Sequence, residues 1–136
     1  MSLGFELSAS FLRDQLPTLS VATAQAVIRV LTRYLPKHTL ELHVPNDVYV
    51  DGKKICGILL ESPTPQHAIL GIGLNVNNRI SDIPPEFLDD LTSRSITSMV
   101  ELLGTETDTT RLMDELLDEL GDMENPFRSK NQQGER

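Results

Sequence analysis

Residues 43–57 read His-Val-Pro-Asn-Asp-Val-Tyr-Val-Asp-Gly-Lys-Lys-Ile-Cys-Gly, and this stretch decides how the middle of the chain folds. Asp51 and Gly52 favour a two-residue hairpin turn, because both tolerate the left-handed backbone that such turns require. The hairpin folds the chain back and predicts that Asp47 and Lys54 lie close together. The carboxylate, the neighbouring amide of Asn46 and the ammonium, at one end of a two-stranded ribbon, indicate a place for a phosphate or a carboxylate ligand.

A second stretch, residues 68–77, alternates apolar residues with glycine and asparagine, the period of a β-strand. The two faces comprise Leu70, Ile72, Leu74 and Val76 on the predicted core side, and Gly71, Gly73, Asn75 and Asn77 on the other side. Glycine inside a strand often marks the close approach of a ligand or of another backbone. The glycine face is therefore either the floor of a binding site or a place where a neighbouring helix packs tightly.

The remaining pattern predicts further strands and helices along the chain. Residues 58–60 are apolar on both faces, which indicates a central strand next to the hairpin. Further strands are expected over Glu6–Leu12 and Leu40–Val44. The expected helices are one capped by Thr18 and ended by Pro36, then Pro84–Leu91, Ile96–Leu103 before Gly104, and one capped by Asp108 with an apolar stripe through Leu112, Met113, Leu116, Leu117 and Leu120.

Composition limits the classes of function. The 136 residues carry a net charge of −8, and residues 101–124 alone hold nine acids and one base, so a nucleic-acid surface is not expected. No apolar run is long enough to suggest a membrane span. One cysteine, Cys56, and histidines without metal-ligand spacing indicate a reducing, cytoplasmic setting and no metal site. We expect one domain over residues 1–124 and a polar, disordered tail over 125–136.

The chain offers no convincing covalent catalyst. Cys56 lies within an apolar strand, where a thiol is expected to be buried and inert. His43 is expected to be structural or exposed and not a base. Lys54 is the strongest candidate for chemistry, which would then come from positioning and electrostatics. The competing interpretation of Lys54, as of Lys53, is an ordinary surface lysine at a hairpin.

Three blocks of the sequence resemble the catalytic domain of biotin protein ligases. That family typically shows Lys-Trp-Pro-Asn-Asp, Lys-x-x-Gly-Ile-Leu and Gly-x-Gly-x-Asn-x-Asn. The corresponding blocks start at His43, Lys54 and Gly71 here, in the same order. A weaker similarity runs over residues 7–120 and includes Ser-Ile-Thr-Ser-Met at residues 95–99. The resemblance implies an α+β fold, with a mixed β-sheet flanked by helices, that is related to class II aminoacyl-tRNA synthetases and lipoate ligases.

The resemblance also implies a reaction and a site. Such ligases join biotin to ATP with Mg²⁺ and pass biotin from biotinyl-AMP to a lysine of a carboxylase carrier domain. By resemblance, Lys54 contacts the biotin carboxylate and the phosphate. Asn46 and Asp47 line the adenylate side, Gly57 lets the backbone approach biotin, and Asn75 helps to hold the nucleotide.

Some family features have no counterpart in these residues. His43 and Val44 stand where the family has Lys and Trp, and neither a Gly-Arg-Gly-Arg-x-Gly-Arg loop nor any Trp is present. We therefore expect an incomplete fold and site, with weak or no ligase activity for this chain alone. Two alternatives are a lipoate ligase-like acyl-transfer protein and a non-catalytic binding or dimerisation module, and a homodimer is expected.

Overall fold

The structure is a computed structural model, and it describes residues 2–7, 16–44, 46–64, 67–87 and 95–121. Five strands form one sheet whose spatial order is β1-β5-β4-β3-β2. The strands are β1 (Ser2–Leu7), β2 (Leu40–His43), β3 (Asp47–Val50), β4 (Lys53–Thr64) and β5 (His67–Leu74). β4 is the central strand, as its apolar residues on both faces predict.

Of the three described helices, one lies between β1 and β2 in the chain and two follow β5. They are α1 (Leu16–Tyr34), α2 (Met99–Leu103) and α3 (Thr109–Gly121), with 3₁₀ turns over Ile80–Asp82 and Pro85–Phe87. α1 contacts α3 and the inner face of β2, β3 and β4. None of these helices has the length and apolar character needed to cross a membrane.

The hairpin turn between β3 and β4 has the expected geometry. Val50 pairs with Lys53, which leaves Asp51 and Gly52 as the two turn residues. Both have positive φ, 51° and 85°, the backbone that a type I′ turn requires. Side-chain hydrogen bonds also stabilise the turn, because the Asp51 carboxylate accepts from the Thr39 amide at 2.9 Å and from His38 Nδ1 at 2.6 Å. These bonds lower the pKa of the Asp51 carboxyl, the bond to His38 most strongly.

One continuous core lies between the inner face of the sheet and helices α1 and α3. Val48, Leu70 and Ile72 contribute from the strands, and Leu31 and Leu116 from the helices, all fully buried or nearly so. The predicted stripe of α3 is confirmed: four of its leucines are buried, and Met113 packs partly against the core. The outer surface of α1 and α3 is joined by polar contacts, in which Arg29, Arg33 and Tyr34 meet Glu115 and Glu119.

The predicted α+β class is confirmed, with one difference in the sheet. All four pairings among the described strands are antiparallel, and the parallel component is a single bridge between Lys54 and Ile96. Three of these pairings join strands that are consecutive in the chain, and their short connections favour antiparallel neighbours, because parallel neighbours need a long crossover. The fourth pairing joins β1 to the distant β5.

Several predicted boundaries were wrong. α1 begins at Leu16, so Thr18 lies in its first turn and is not the cap; Pro17 is favoured in a first turn. β2 ends at His43, and Val44 is 75% exposed. The helix expected from Ile96 begins at Met99, because Ser98 caps it by accepting a hydrogen bond from the Glu101 amide.

Other predictions fall partly outside the described residues. Of the strand expected over Glu6–Leu12, the first two residues belong to β1 and the rest lie outside. Of the helix expected over Pro84–Leu91, the structure describes a 3₁₀ turn at Pro85–Phe87. The tail predicted over residues 125–136 lies entirely outside the described part of the chain.

The turn geometry makes a stability prediction. Gly52→Ala places a Cβ on a residue with φ of 85° and should lower the free energy of unfolding by about 1 kcal/mol. Gly121→Ala is the matched control, since its Cβ also meets no atom within 4 Å but its backbone is helical. It should leave stability unchanged or raise it slightly. Urea denaturation of both variants tests this, and equal effects would contradict the turn assignment.

Candidate functional site

A β-bulge at the start of β4 determines the orientation of the candidate residues. Tyr49 pairs with Lys54 and Val48 pairs with Cys56, so Ile55 is an extra residue without a partner on β3. Ile55 and Cys56 are consecutive residues, yet both are buried in the core. Side-chain alternation is therefore shifted by one position, and Lys54 shares the outer face of the sheet with Gly57.

Three candidate residues meet on this outer face. Asp47 pairs directly with Gly57 across β3 and β4. The Lys54 side chain runs across Gly57: a Cβ built on this glycine would lie 3.5 Å from both Cε and Nζ of Lys54. Lys54 Nζ is 3.3 Å from Asp47 Oδ1, with the two side chains 41% and 30% exposed. At such exposure the ion pair contributes at most about 1 kcal/mol, so it mainly orients the ammonium.

The ammonium borders an open cleft of about 320 Å³. Gly57 and Gly73, which pair across β4 and β5, provide a floor without side chains. The cleft is lined by Lys54, Ile55, Cys56, Gly57, Gly73, Asn75 and Ile96. Its mixture of one charged group, one amide, glycine backbone and the apolar side chain of Ile96 is suited to a small ligand with an anionic end.

The bulge is held in place by two segments from elsewhere in the chain. The amide of Thr97 donates to the carbonyl of Lys54 at 2.9 Å, and the amide of Asn75 donates to the carbonyl of Ile55 at 3.0 Å. The side chain of Asn75 then links these two segments, because its Nδ2 donates to the Thr97 carbonyl at 3.2 Å. Met99 in turn donates its amide to the Asn75 carbonyl at 3.0 Å, at the start of α2.

Asn77 has a different role from Asn75. Its Nδ2 donates to the Thr107 carbonyl and its Oδ1 accepts from the Thr107 amide, both at 2.9 Å. This reciprocal pair fixes the segment before α3 to the end of β5. Asn77 therefore anchors the fold and is not part of the cleft.

An aromatic pair lies beside the ion pair. The rings of His43 and Tyr49 are stacked, with centroids 3.8 Å apart and an interplanar angle of 13°. Pairing places His43 opposite Asp47 and Tyr49 opposite Lys54, so all four residues share the outer face. The prediction that His43 is structural or exposed agrees with this position, where half of its side chain is exposed.

Cys56 is buried, as the sequence indicates. Burial, and to a smaller extent the Asp47 carboxylate, raises the pKa of its thiol to about 12, although Lys54 opposes the shift. Because the thiolate is the reactive form, this cysteine is unsuited to nucleophilic catalysis.

The predicted site residues are only partly brought together. Lys54, Gly57, Gly73 and Asn75 line the cleft, and Asp47 reaches it through its contact with Lys54. Gly71 lies two pairs further along, opposite Leu59, and is outside the cleft lining. The carbonyl of Asn46 accepts a hydrogen bond from the Ile58 amide at 2.8 Å, which ties the start of β3 to β4.

The glycine face is open in the described part of the chain. A Cβ on Gly71 or Gly73 would meet, within 4 Å, only atoms of the neighbouring strand β4. No described helix packs there, and Leu59 on the same face is 57% exposed. This arrangement favours a binding-site floor over a tight helix crossing.

Sequence reasoning missed two contributors, the bulged Ile55 and the segment at Ile96 and Thr97. A signal for the bulge was present: strict alternation would place Lys54 and Gly57 on opposite faces, so a joint site for both requires one extra residue. The contact from Ile96 and Thr97 spans more than forty positions. No local pattern encodes it.

Comparison with known proteins identifies the family. The sequence model of the biotin/lipoate A/B protein ligase family matches residues 1–75, more than half of the chain. This protein belongs to the biotin/lipoate A/B protein ligase family. The resemblance noted from the three sequence blocks is thereby confirmed.

Two relatives show how much of a family member the chain represents. It is 36% identical over 83 residues to the bifunctional ligase/repressor BirA of Bacillus subtilis, covering 58% of this chain and 25% of that protein. It is 33% identical over 104 residues to the biotin–[acetyl-CoA-carboxylase] ligase of Mycobacterium tuberculosis, covering 75% and 35%. The chain thus spans a quarter to a third of the length of these curated relatives.

Solved structures agree with the fold. The apo biotin protein ligase of Aquifex aeolicus superposes with a TM-score of 0.71 at 28% identity, covering 89% of this chain and 52% of that one. The same enzyme in complex with biotin and ATP gives 0.70 at 28% identity, with 87% and 47% covered. A T. acidophilum protein solved with bound lipoic acid gives 0.66 at 12% identity, which shows the shared fold alone.

Proposed function

We propose that this chain forms part of a biotin protein ligase-like catalytic domain, over residues 1–124, and that its cleft holds the reacting end of biotin and ATP. The reaction would be attack of the biotin carboxylate on ATP to form biotinyl-AMP with release of pyrophosphate, followed by transfer of biotin to a lysine of a carboxylase carrier domain with release of AMP. The observation that carries the proposal is the Lys54 ammonium held over the Gly57–Gly73 floor. The relative solved with biotin and ATP supports the choice of ligands.

Lys54 is the proposed catalytic residue. Its ammonium can neutralise the biotin carboxylate and the phosphate that approaches it, which would otherwise repel each other. Asp47 prevents the flexible lysine side chain from turning into solvent, and together with Asn46 it would lie towards the adenylate. Because the ion pair is half exposed, an anionic ligand can compete with Asp47 for the ammonium at little cost.

The glycine floor fits this role. A backbone without Cβ atoms lets a ligand approach β5 at Gly73, while the Lys54 side chain runs across the paired Gly57. Gly71 extends the bare strip beyond the cleft along β5. The apolar side chain of Ile96 suits the hydrocarbon part of an acyl ligand.

Magnesium would arrive with the nucleotide. In the described residues no group of three or more His, Cys, Asp or Glu side chains is arranged to hold a metal ion. Mg²⁺ at nucleotide sites is usually bound by substrate phosphates and one or two carboxylates. Asp47, whose Oδ1 lies 3.3 Å from the Lys54 ammonium, could supply such a ligand.

The function predicts a specific loss of binding. Lys54→Ala should weaken the binding of biotin and of a non-hydrolysable biotinyl-adenylate analogue by about 10-fold to 100-fold, the range expected for a lost charged hydrogen bond. Lys53→Ala is the matched control, because Lys53 is adjacent to Lys54 in the chain and its own side chain is exposed and outside the cleft lining. Isothermal titration calorimetry of the three proteins, with lipoate as a further ligand, measures this.

Three results would contradict the proposal. The first is that neither biotin nor the adenylate binds, and the second is that both lysine variants weaken binding equally. The third is tighter binding of lipoate than of biotin, which would favour the lipoate ligase alternative. Unchanged affinity in Lys53→Ala with reduced affinity in Lys54→Ala supports the proposal.

We also expect little turnover from a polypeptide of these 136 residues. Losing one preorganised donor slows chemistry roughly 10²–10³-fold, and no arginine-rich segment of the family type is present to stabilise the phosphate. Incubation with biotin, ATP, Mg²⁺ and a carrier domain should yield only slow carrier biotinylation, detected by mass spectrometry. Rapid biotinylation that Lys54→Ala leaves intact would refute both this expectation and the assignment of Lys54.

A further inference from the structure

We propose that Asn75 is a positioning residue that sets the direction of Lys54 through the backbone. The Asn75 carboxamide donates to the Thr97 carbonyl at 3.2 Å, and the Thr97 amide donates to the Lys54 carbonyl at 2.9 Å. Two hydrogen bonds therefore connect the amide side chain to the main chain of the lysine. The sequence predicts that Asn75 holds the nucleotide. In this proposal, Asn75 acts mainly on Lys54, which faces the ligand.

The bulge explains why such a connection is needed. Ile55 has no partner on β3, so the carbonyls of Lys54 and Ile55 need donors from other segments. Thr97 supplies one donor and the Asn75 backbone supplies the other. With the Asn75 side chain also bound to Thr97, both donors are fixed relative to each other, and the bulge can hold one conformation.

The position of Asn75 within its own loop supports the same role. Its Oδ1 accepts from Asn78 Nδ2 at 3.2 Å, so the orientation of the carboxamide is set on both sides. Thr97 is buried, which shields the connecting bonds from water. A carboxamide has two N–H donors, so the bond to Thr97 occupies one of them.

The neighbouring amide provides a natural control. Asn77 lies two residues further along and also joins β5 to a distant segment, but its partner is Thr107. Loss of either amide removes hydrogen bonds of similar kind and loosens the same end of β5. Of these two amides, only that of Asn75 is connected, through Thr97, to the main chain of Lys54.

The test measures the accessibility of the Lys54 amine directly. Asn75→Ala and Asn77→Ala are compared with the unaltered protein by labelling with limiting acetic anhydride, with the Lys54-to-Lys53 labelling ratio read by mass spectrometry. We expect a ratio below one in the unaltered protein, because Lys54 is paired with Asp47. Asn75→Ala should raise the ratio about fivefold, the factor for one ordinary hydrogen bond, and Asn77→Ala should leave it unchanged.

An unchanged ratio in Asn75→Ala would overturn the inference, as would an equal rise in Asn77→Ala, which would indicate general loosening. If Asn75→Ala does not fold, Asn75→Ser replaces it and is judged by the same ratio. The role of this connection in ligand binding rests on the proposed function, but the labelling ratio is measured without any ligand. Failure here is therefore distinguishable from failure of biotin to bind.

Discussion

One extra residue in β4 determines which face of the sheet carries the Lys54 ammonium. Without the bulge at Ile55, the alternation of side chains would direct either Lys54 or Gly57 into the core. With it, Ile55 and Cys56 fill the core together, and the lysine and the glycine share the outer face. The cleft, its ammonium and its bare floor all depend on this single shift in register.

The energetics assign different roles to the contacts around the cleft. The half-exposed ion pair between Asp47 and Lys54 adds little stability, so it cannot be what holds the site together. Backbone hydrogen bonds from Thr97 and Asn75 satisfy the bulge carbonyls, and each contributes on the order of 1 kcal/mol. The scaffold of the cleft is therefore backbone, and the charged side chains remain available for a ligand.

Local patterns predicted much of the fold and part of the site. The type I′ turn at Asp51 and Gly52 and the buried alternation through Leu70 and Ile72 depend on neighbouring residues, so the sequence encodes them directly. The proximity of Asp47 and Lys54 followed from the turn and is observed at 3.3 Å. Family membership followed from three short blocks whose spacing the same turn and strands impose.

The rest depended on contacts between distant residues. α2 begins at Met99 and not at Ile96, because Ile96 forms a bridge with Lys54 and Ser98 is the N-cap of the helix. α1 begins at Leu16, two residues before the predicted cap Thr18, because Pro17 is compatible with the first turn of a helix. Asn75 was expected at the nucleotide because of its position in a motif, whereas its partner at Thr97 is known only once the chain is folded.

The most direct test of the register shift is a nuclear Overhauser spectrum of the isotope-labelled chain. The structure places the Lys54 Cε methylene next to the position that a Cβ of Gly57 would occupy. A strong cross-peak between the Lys54 Hε and Gly57 Hα protons is therefore the expected result. Its absence, together with cross-peaks from the Lys54 side chain to core residues such as Ile58, would show that the strand runs without the bulge and would contradict this account.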